Sequence, residues 1–419
     1  MAYNFFFGYW IVLVGFISTT LSSGLGFYGF SVLNTSVAGE FGWSRGAVTA
    51  AFSVFIISAA AGSPIAGRLT DKHGPRKVLF LGTILMSIGL LLLSRASAIW
   101  IFYLLHIFVG IGFVLLGIVP VSKIVCNWFY RSQGTVQGLA FTGIGVGGLI
   151  IAPLIGNFFV PNFGWRCAYL AMALSLLGTM LPLTIFVLKD TPHQKGLCPY
   201  GQNEGNLPYG NSAQTEGTID LGLEKALRTF TFWVVALTFM IYGMSMAAAL
   251  QNQISILNEQ GFATRAGMTA LGVIGLFSGV AKLLFGYLCD HIDPKFAAAI
   301  SYAAIAFSII VMIRAQSLAH LFFYGMLFGL GQGGWAPNLA MLVVNYFGFR
   351  DYGSVLGAVQ LAFYAGMAVG PVIVGLAFDL TGSYRLTLFI VALLCFFSVP
   401  AIALIRNPRL PLAENVSAY

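Results

Sequence analysis

Charged residues are scarce in this chain of 419 residues: Asp, Glu, Lys and Arg together make up 8% of it, whereas 58% is hydrophobic. A soluble globular protein carries about 25% charged residues. Because so few charges cannot cover a surface that faces water, the composition excludes a soluble protein. It predicts a protein whose outer solvent is lipid.

Cysteine is also rare, with five residues that are far apart and lack the spacing of metal ligands. We therefore expect no disulfide, no metal site and no cofactor. No nucleophile, base and orienting group come together in the sequence, which argues against an enzyme. The net charge of +8 does not indicate nucleic acid, because no basic run is interleaved with aromatic residues and the cations fall in short loops.

Long hydrophobic runs are what the chain has instead. Crossing about 30 Å of hydrocarbon takes roughly 20 apolar residues. Runs of that size occupy positions 9–32, 46–67, 78–95, 99–124, 135–158, 166–188, 231–253, 266–287, 296–314, 319–344, 353–378 and 384–405. We predict an all-α integral membrane protein with twelve transmembrane helices in two pseudo-symmetric six-helix bundles. The first run has no basic n-region or cleavage site, so we expect it to be a retained helix.

A polar segment rich in Gly, Asn and Pro divides these runs into two sets of six, and its composition predicts a flexible connector. Its end, "LEKALRTFTFW", predicts a short amphipathic helix. The expected domains are 1–188 and 231–407, with the connector at 189–230 and a tail at 408–419. Lys and Arg are in excess on the side that holds the connector and both ends, which predicts that this side is cytoplasmic in a cell inner (plasma) membrane.

One polar pattern occurs twice. "GRLTDKHGPRK" begins at Gly67, and "GYLCDHIDPK" begins at Gly286, 219 residues later. The corresponding residues of the two copies are Gly67 and Gly286, Asp71 and Asp290, and Arg76 and Lys295. Each copy ends an even-numbered helix at the predicted cytoplasmic face. We predict that these six residues gate the rocking of two related halves about a site near the midplane.

At these residues the sequence resembles the major facilitator superfamily, whose loop between the second and third helices carries a G-x-x-x-D-x-x-G-x-R/K pattern. Asp293 replaces the later glycine of the second copy, so a different turn is expected there. "FFFGYWIVLVGF", "FGWSRGAVTAAFS" and "NWFYRSQGTVQGLAFTGIGVG" look like segments of monocarboxylate porters and oxalate:formate antiporters. The resemblance implies a monomeric carrier, in the lipid bilayer, for a small organic anion.

Lys282 is the main candidate for binding that anion. It lies eight residues before Asp290, hence about 12 Å from that helix end, and a charge at the centre of a span costs roughly 3 kcal/mol. The resemblance implies an arginine four residues before Gly286, and Lys282 occupies that position. The alternative is a structural lysine or one that extends to the membrane surface.

Three further positions concern charge and protons. Lys123 lies near a predicted membrane surface, so it either extends to that surface or lines the substrate path. The resemblance implies an aspartate one turn before Lys282, but Ser278 occupies that place, which leaves the proton-binding group open. His106 titrates in a suitable range, although a lone histidine in a span is also typical of packing.

Uncharged polar and aromatic residues complete the expected pocket, either as ligand contacts or as packing between helices. The glycines and Pro337 in "GQGGWAPNLA" predict an interrupted helix with exposed backbone. The candidates are Tyr28, Gln332, Trp335, Asn338, Gln360 and Tyr364. We predict a secondary active transporter for a monocarboxylate such as lactate or pyruvate, linked to protons. The alternatives are exchange of dicarboxylates or of oxalate and formate, and efflux of drugs or siderophores.

Overall fold

The computed structural model describes residues 6–202 and 221–406, which are almost entirely helical. The predicted tail at 408–419 and positions 203–220 of the connector lie outside the described residues. The helices that cross the membrane, here called the first to twelfth spans, comprise Gly8–Leu21 with Ser22–Tyr28 and Gly29–Phe41; Arg45–His73; Pro75–Leu93; Ile99–Leu115 with Ile118–Trp128; Gln133–Val146 with Gly147–Ile151 and Leu154–Phe159; Val160–Pro182 with Leu183–Val187; Phe230–Glu259; Thr264–His291; Pro294–Ile313; Leu318–Gly333 with Trp335–Phe347; Tyr352–Thr381; and Arg385–Ala403.

By length and hydropathy alone, ten helices in the described ranges are candidates to cross a membrane. One of them, Gln133–Val187, has 55 residues and contains two spans, because Gly164 interrupts it with a φ of 78°. The tenth span is divided at Gly334, and neither half by itself is long enough to be recognised. These two adjustments give the twelve spans expected from the sequence.

Local sequence explains where several spans begin. Ser44 caps the second span by accepting a hydrogen bond from the Ala47 N–H, and Thr229 caps the seventh in the same way. Pro75 and Pro294 take the first positions of the third and ninth spans, where the missing N–H costs nothing. Between Thr229 and the sixth span, the described part of the connector contains a short helix at Leu223–Leu227, as its sequence predicts.

The two six-helix bundles meet along two helix pairs, the second span against the eleventh and the fifth against the eighth. Glycines allow the backbones to touch: a Cβ on Gly67 would overlap the carbonyl oxygen of Gly353, and a Cβ on Gly286 would overlap that of Gly134. Because equivalent glycines occupy both pairs, the sequence repeat appears in the structure as a repeated contact. The exact domain boundaries at 188, 231 and 407 stay predictions.

Gly286→Val tests whether this backbone contact stabilises the protein. The added side chain would collide with the carbonyl oxygen of Gly134, which cannot yield without moving the fifth span. Overpacking of this kind costs about 1–3 kcal/mol, so we expect a lower thermal unfolding midpoint for the variant purified in detergent. Gly275→Val on the same helix is the control, because a Cβ there meets no atom within 4 Å. An equal fall in both variants would contradict the prediction.

Candidate functional site

The carboxylate of Asp71 joins the two bundles by capping the eleventh span. It accepts hydrogen bonds from the backbone N–H groups of Gly353 (3.0 Å) and Ser354 (2.7 Å) and from the Ser354 hydroxyl (2.8 Å). The first N–H groups of a helix have no partner within it, and the helix dipole favours an anion there. Asp71 satisfies both requirements from the opposite bundle.

Asp290 makes the same arrangement at the start of the fifth span. Its carboxylate accepts from the N–H groups of Gly134 (2.7 Å) and Thr135 (2.8 Å) and from the Thr135 hydroxyl (2.6 Å). The two carboxylates therefore close the same end of the molecule, which we call the Asp71/Asp290 face. Bonds of this charge-assisted type are stronger than neutral ones, so they stabilise the closed arrangement.

The cations of the two motif copies lie elsewhere. The guanidinium of Arg76 donates to the carbonyl oxygens of Thr184 (2.8 Å) and Ile185 (2.6 Å) at the end of the sixth span. Lys295 donates in the same manner to the carbonyl of Ile405, at 3.2 Å, after the twelfth span. Each cation thus binds its own bundle. In this conformation the carboxylates, and not the cations, connect the bundles.

Two neighbours distinguish the motif copies. Gly74 has a φ of 86°, whereas Asp293 at the equivalent position has a φ of −58° and caps the ninth span, so the expected difference in the turn is confirmed. Asp190, beyond the sixth span, accepts a hydrogen bond of 2.8 Å from the backbone N–H of Arg76. Burial raises the pKa of the Asp190 carboxyl, against the lowering effect of Arg76 and Lys77.

Lys123 is part of the Asp71/Asp290 face and does not line a cavity. Its ammonium lies 3.5 Å from the Asp71 carboxylate and donates to the carbonyl oxygen of Phe349 at 2.9 Å. The adjacent Ser122 hydroxyl bonds with Gln137 and with the Tyr352 hydroxyl across the bundle interface. The substrate contact predicted for Lys123 therefore has no support in this geometry.

A cavity with a volume of about 70 Å³ lies between the bundles. Its lining comes from Thr19, Ser22, Ser23, Phe27, Tyr28, Phe113, Gly117, Ile118, Ile144, Met246, Gln332, Trp335, Phe363, Tyr364 and Met367. At about 30 Å³ for each water, a cavity of that volume holds roughly two waters, so the site is small in this conformation. Two further cavities, near Glu259 and near Arg76, are each lined by residues of one half of the chain.

Interruptions in three spans meet at this cavity. Ser22–Tyr28 is a π-helical stretch of the first span, Gly117 separates the two helices of the fourth, and Gly334 divides the tenth. Residues beside each interruption line the cavity. Irregular backbone at membrane depth is tolerated inside the protein or along a cavity, which agrees with the position of these interruptions beside the candidate site.

Four of the pocket residues predicted from the sequence line the cavity: Tyr28, Gln332, Trp335 and Tyr364. Trp335 stacks on Phe363, with ring centroids 4.4 Å apart and planes 8° from parallel, and forms one wall. Gln360 lies next to the lining, because its side-chain amide donates to the Tyr364 hydroxyl at 3.4 Å. The cavity is therefore a largely apolar site with a few donors and acceptors, as small ligands require.

Two predicted residues have other roles in this conformation. The Asn338 amide bonds to the Ser301 hydroxyl at 2.8 Å and to the Cys289 thiol, and so joins helices of the second bundle. His106 is buried, its Nδ1 lies 2.7 Å from the Phe102 carbonyl oxygen, and its ring packs against Phe30. Neither residue lines the cavity, so their predicted roles in substrate and proton binding lack support here.

Sequence reasoning missed several lining residues. Ser22 and Ser23 escaped notice although a run of serines and glycines inside a hydrophobic span, "STTLSSGLG", is a signal that could have been used. No such signal marks Phe113, Met246 and Phe363. In the sequence, an aromatic or aliphatic residue that lines a cavity cannot be distinguished from one that faces lipid.

Lys282 is buried, with 2% of its surface exposed, and lies in the eighth span between the fifth and tenth spans. Its ammonium donates to the Ser278 hydroxyl (2.8 Å) and carbonyl oxygen (3.3 Å), one turn earlier on the same helix. None of the ion pairs among the described residues includes it. A lysine amine is thus held inside the protein without a countercharge among the described residues.

The backbone of Lys282 packs against Gly333, which adjoins the cavity lining, and Lys282 is not itself part of that lining in this conformation. The backbone N of Lys282 lies 3.1 Å from where a Cβ on Gly333 would stand, and Gly333 follows the lining residue Gln332. On the other side, a Cβ on Gly138 would overlap the Lys282 carbonyl oxygen. The lysine therefore does not point into lipid, and its predicted contact with substrate stays a prediction.

Comparison with known proteins identifies the family. The model described as Major Facilitator Superfamily matches residues 16–307 and 230–418. The chain belongs to the major facilitator superfamily. This membership and the observed helices confirm the predicted fold and make the protein a multi-pass membrane transporter, not an enzyme.

Relatives within the superfamily include monocarboxylate transporters. Monocarboxylate transporter 12 of Homo sapiens is 26% identical over 83% of this chain and 69% of its own length. Monocarboxylate transporter 13 of Rattus norvegicus is 25% identical over 92% of this chain and 85% of its own, and monocarboxylate transporter 2 of Homo sapiens is 24% identical over 80% and 72%. The predicted resemblance to the monocarboxylate porters is confirmed.

We expect Asp290→Asn to shift the transporter towards a state that is open at the Asp71/Asp290 face. Hydrogen bonds to a charged group contribute about 1.5–3 kcal/mol, so the ratio of open to closed molecules should rise roughly 10- to 100-fold. Distances between spin labels at the ends of the fifth and eighth spans measure the change.

Asp351→Asn is the matched control for this experiment. It makes the same change of charge, but the Asp351 carboxylate accepts from the N–H of Leu223 (2.9 Å), in the connector. Unchanged distances in Asp290→Asn, or the same change in both variants, would rule out the capping explanation.

Proposed function

We propose that this transporter carries small monocarboxylates such as lactate or pyruvate in symport with protons, by alternating access. The observation that supports this most directly is the buried amine of Lys282, which has no charged partner among the described residues, on a helix that packs beside the lining of a small cavity between the bundles. A buried charge is costly unless it is paired. A carboxylate that enters the protein also needs a countercharge, so each group offsets the cost of the other.

The size and chemistry of the cavity favour a monocarboxylate. Its small volume favours a small ligand, and its lining contains hydroxyls, an amide and aromatic rings but no Lys or Arg. A dicarboxylate would require another positive group, and the candidate for that role, Lys123, is paired with Asp71. The names of the relatives agree with a monocarboxylate, whereas nothing in the site favours efflux of a larger drug or siderophore.

Alternating access is supported by the arrangement of the bundles. Asp71 and Asp290 close one face by hydrogen bonds that cross between bundles, and these can be broken without unfolding either bundle. The distribution of Lys and Arg supports placing that face in the cytoplasm, with both ends of the chain, in an inner (plasma) membrane. The conformation described is then the one closed to the cytoplasm.

Lys282→Gln tests the countercharge. Loss of a charged hydrogen-bond partner costs about 1.5–3 kcal/mol, so we expect lactate counterflow in proteoliposomes to fall at least roughly 10-fold. Lys225→Gln, an exposed position in the connector helix, is the control with the same change of charge. Undiminished flux in a folded Lys282→Gln protein would refute the assignment of Lys282.

Symport and exchange differ in whether uptake requires an anion on the opposite side of the membrane. For a symporter we expect a pH gradient, alkaline inside, to drive lactate into proteoliposomes that contain no internal carboxylate. An exchanger would take up lactate only when the vesicles are loaded with oxalate, formate or another anion. Uptake that depends strictly on internal anion would contradict the proton symport proposed here.

A further inference from the structure

The cavity presents a problem for proton transport: its lining contains no Asp, Glu or His. His106 packs outside it, and the carboxylates of Asp71 and Asp290 are each occupied by three hydrogen bonds at the closed face. A symported proton therefore needs another carrier. The buried tyrosine of the lining, Tyr364, is a neutral phenol that does not take up a proton, whereas Lys282 is a buried base without a charged partner among the described residues, on a helix that packs against Gly333 beside the lining.

We propose that the amine of Lys282 is itself the proton carrier, which rests on the proposed proton-linked transport. In the empty transporter the amine is neutral. A proton and a carboxylate then enter together, the amine becomes an ammonium, and the pair of opposite charges crosses with the conformational change. Release of the anion on the other side leaves an unpaired ammonium, which gives up its proton. One proton and one anion move, with no net charge.

The surroundings of Lys282 favour this cycle because they supply no competing charge. The fifth span faces it with "GTVQGLAFTGIG", from Gly134 to Gly145, and the first half of the tenth span faces it with "GLGQG", from Gly329 to Gly333. Neither segment contains a titratable side chain. A fixed carboxylate at any of these positions would hold the ammonium permanently.

The groups named next, farther along the eighth span and on the ninth and tenth, add no free charge to this stretch. Farther along the helix, Cys289 donates to Asn338, and Asp290 is occupied by the fifth span. The ninth span and the second half of the tenth pack against the same stretch through Ala297 and Met341. Substrate is therefore the group that decides whether the amine carries a charge.

Ser278 suits both protonation states of the amine. A hydroxyl is a donor and an acceptor, so Ser278 accepts a hydrogen bond from the ammonium and donates one to the neutral amine without moving. The distance of 2.8 Å between the lysine Nζ and the serine Oγ allows either direction. A carboxylate in place of Ser278 would accept only, and would favour the charged amine throughout the cycle.

Lys282→Arg separates the two roles of the residue, because a guanidinium binds carboxylate but cannot lose its proton in a protein. We expect the variant to retain lactate counterflow at a reduced rate. Accumulation of lactate driven by a pH gradient, measured with the membrane potential clamped to zero, should fall to background. Accumulation equal to that of the unmodified protein would overturn the proposal.

A second measurement keeps the proposal testable if the arginine variant is inactive. Lactate is added to the unmodified protein in weakly buffered detergent solution at alkaline pH, and proton uptake is followed with a pH-sensitive dye. We expect one proton to be taken up per lactate bound, and none with Lys282→Gln. Lactate binding without proton uptake would exclude Lys282 as carrier, whereas absence of lactate counterflow in the unmodified protein would instead contradict the proposed function.

Discussion

The absence of hydrogen-bonding partners in hydrocarbon is the constraint on which this structure depends. Because lipid cannot satisfy a backbone N–H or C=O, each crossing segment must be helical wherever it meets lipid. In this protein the interruptions of the first, fourth and tenth spans come together at one cavity between the bundles. The same constraint thus produces the scaffold and favours this cavity as the candidate site.

Closure of the molecule depends on a related requirement at helix ends. The first N–H groups of the fifth and eleventh spans find their acceptors in the opposite bundle, on Asp290 and Asp71. Glycines at the crossing points bring the helices close enough for these bonds to form. Breaking these bonds needs no rearrangement within a bundle, as the proposed alternating access requires, and Lys123 places a cation beside Asp71 in the closed arrangement.

At the centre of the protein, the electrostatics depend on the absence of a countercharge to Lys282 among the described residues. A lysine one turn beyond a serine, between two glycine-rich helix faces, has no fixed countercharge. A buried charge is costly without a partner, so in the proposed cycle an anion from solution decides whether that amine is charged. The anion site and the proton site proposed here are then a single group, and the cycle needs no carboxylic acid in the cavity.

The sequence alone determined the twelve spans, the two related halves and the choice of Lys282. The spans follow from hydropathy, and the halves follow from the repeat of Gly67 and Asp71 at Gly286 and Asp290. Lys282 follows from the cost of a charge in lipid. Each depends on composition or on position along the chain. Tertiary structure decided which side of a helix each residue occupies, so Tyr28 and Trp335 line the cavity while Asn338 and His106 pack elsewhere. It also gave Arg76 and Lys123 partners from distant segments. Helix rotation and pairing depend on contacts between segments far apart in sequence, which no local pattern encodes.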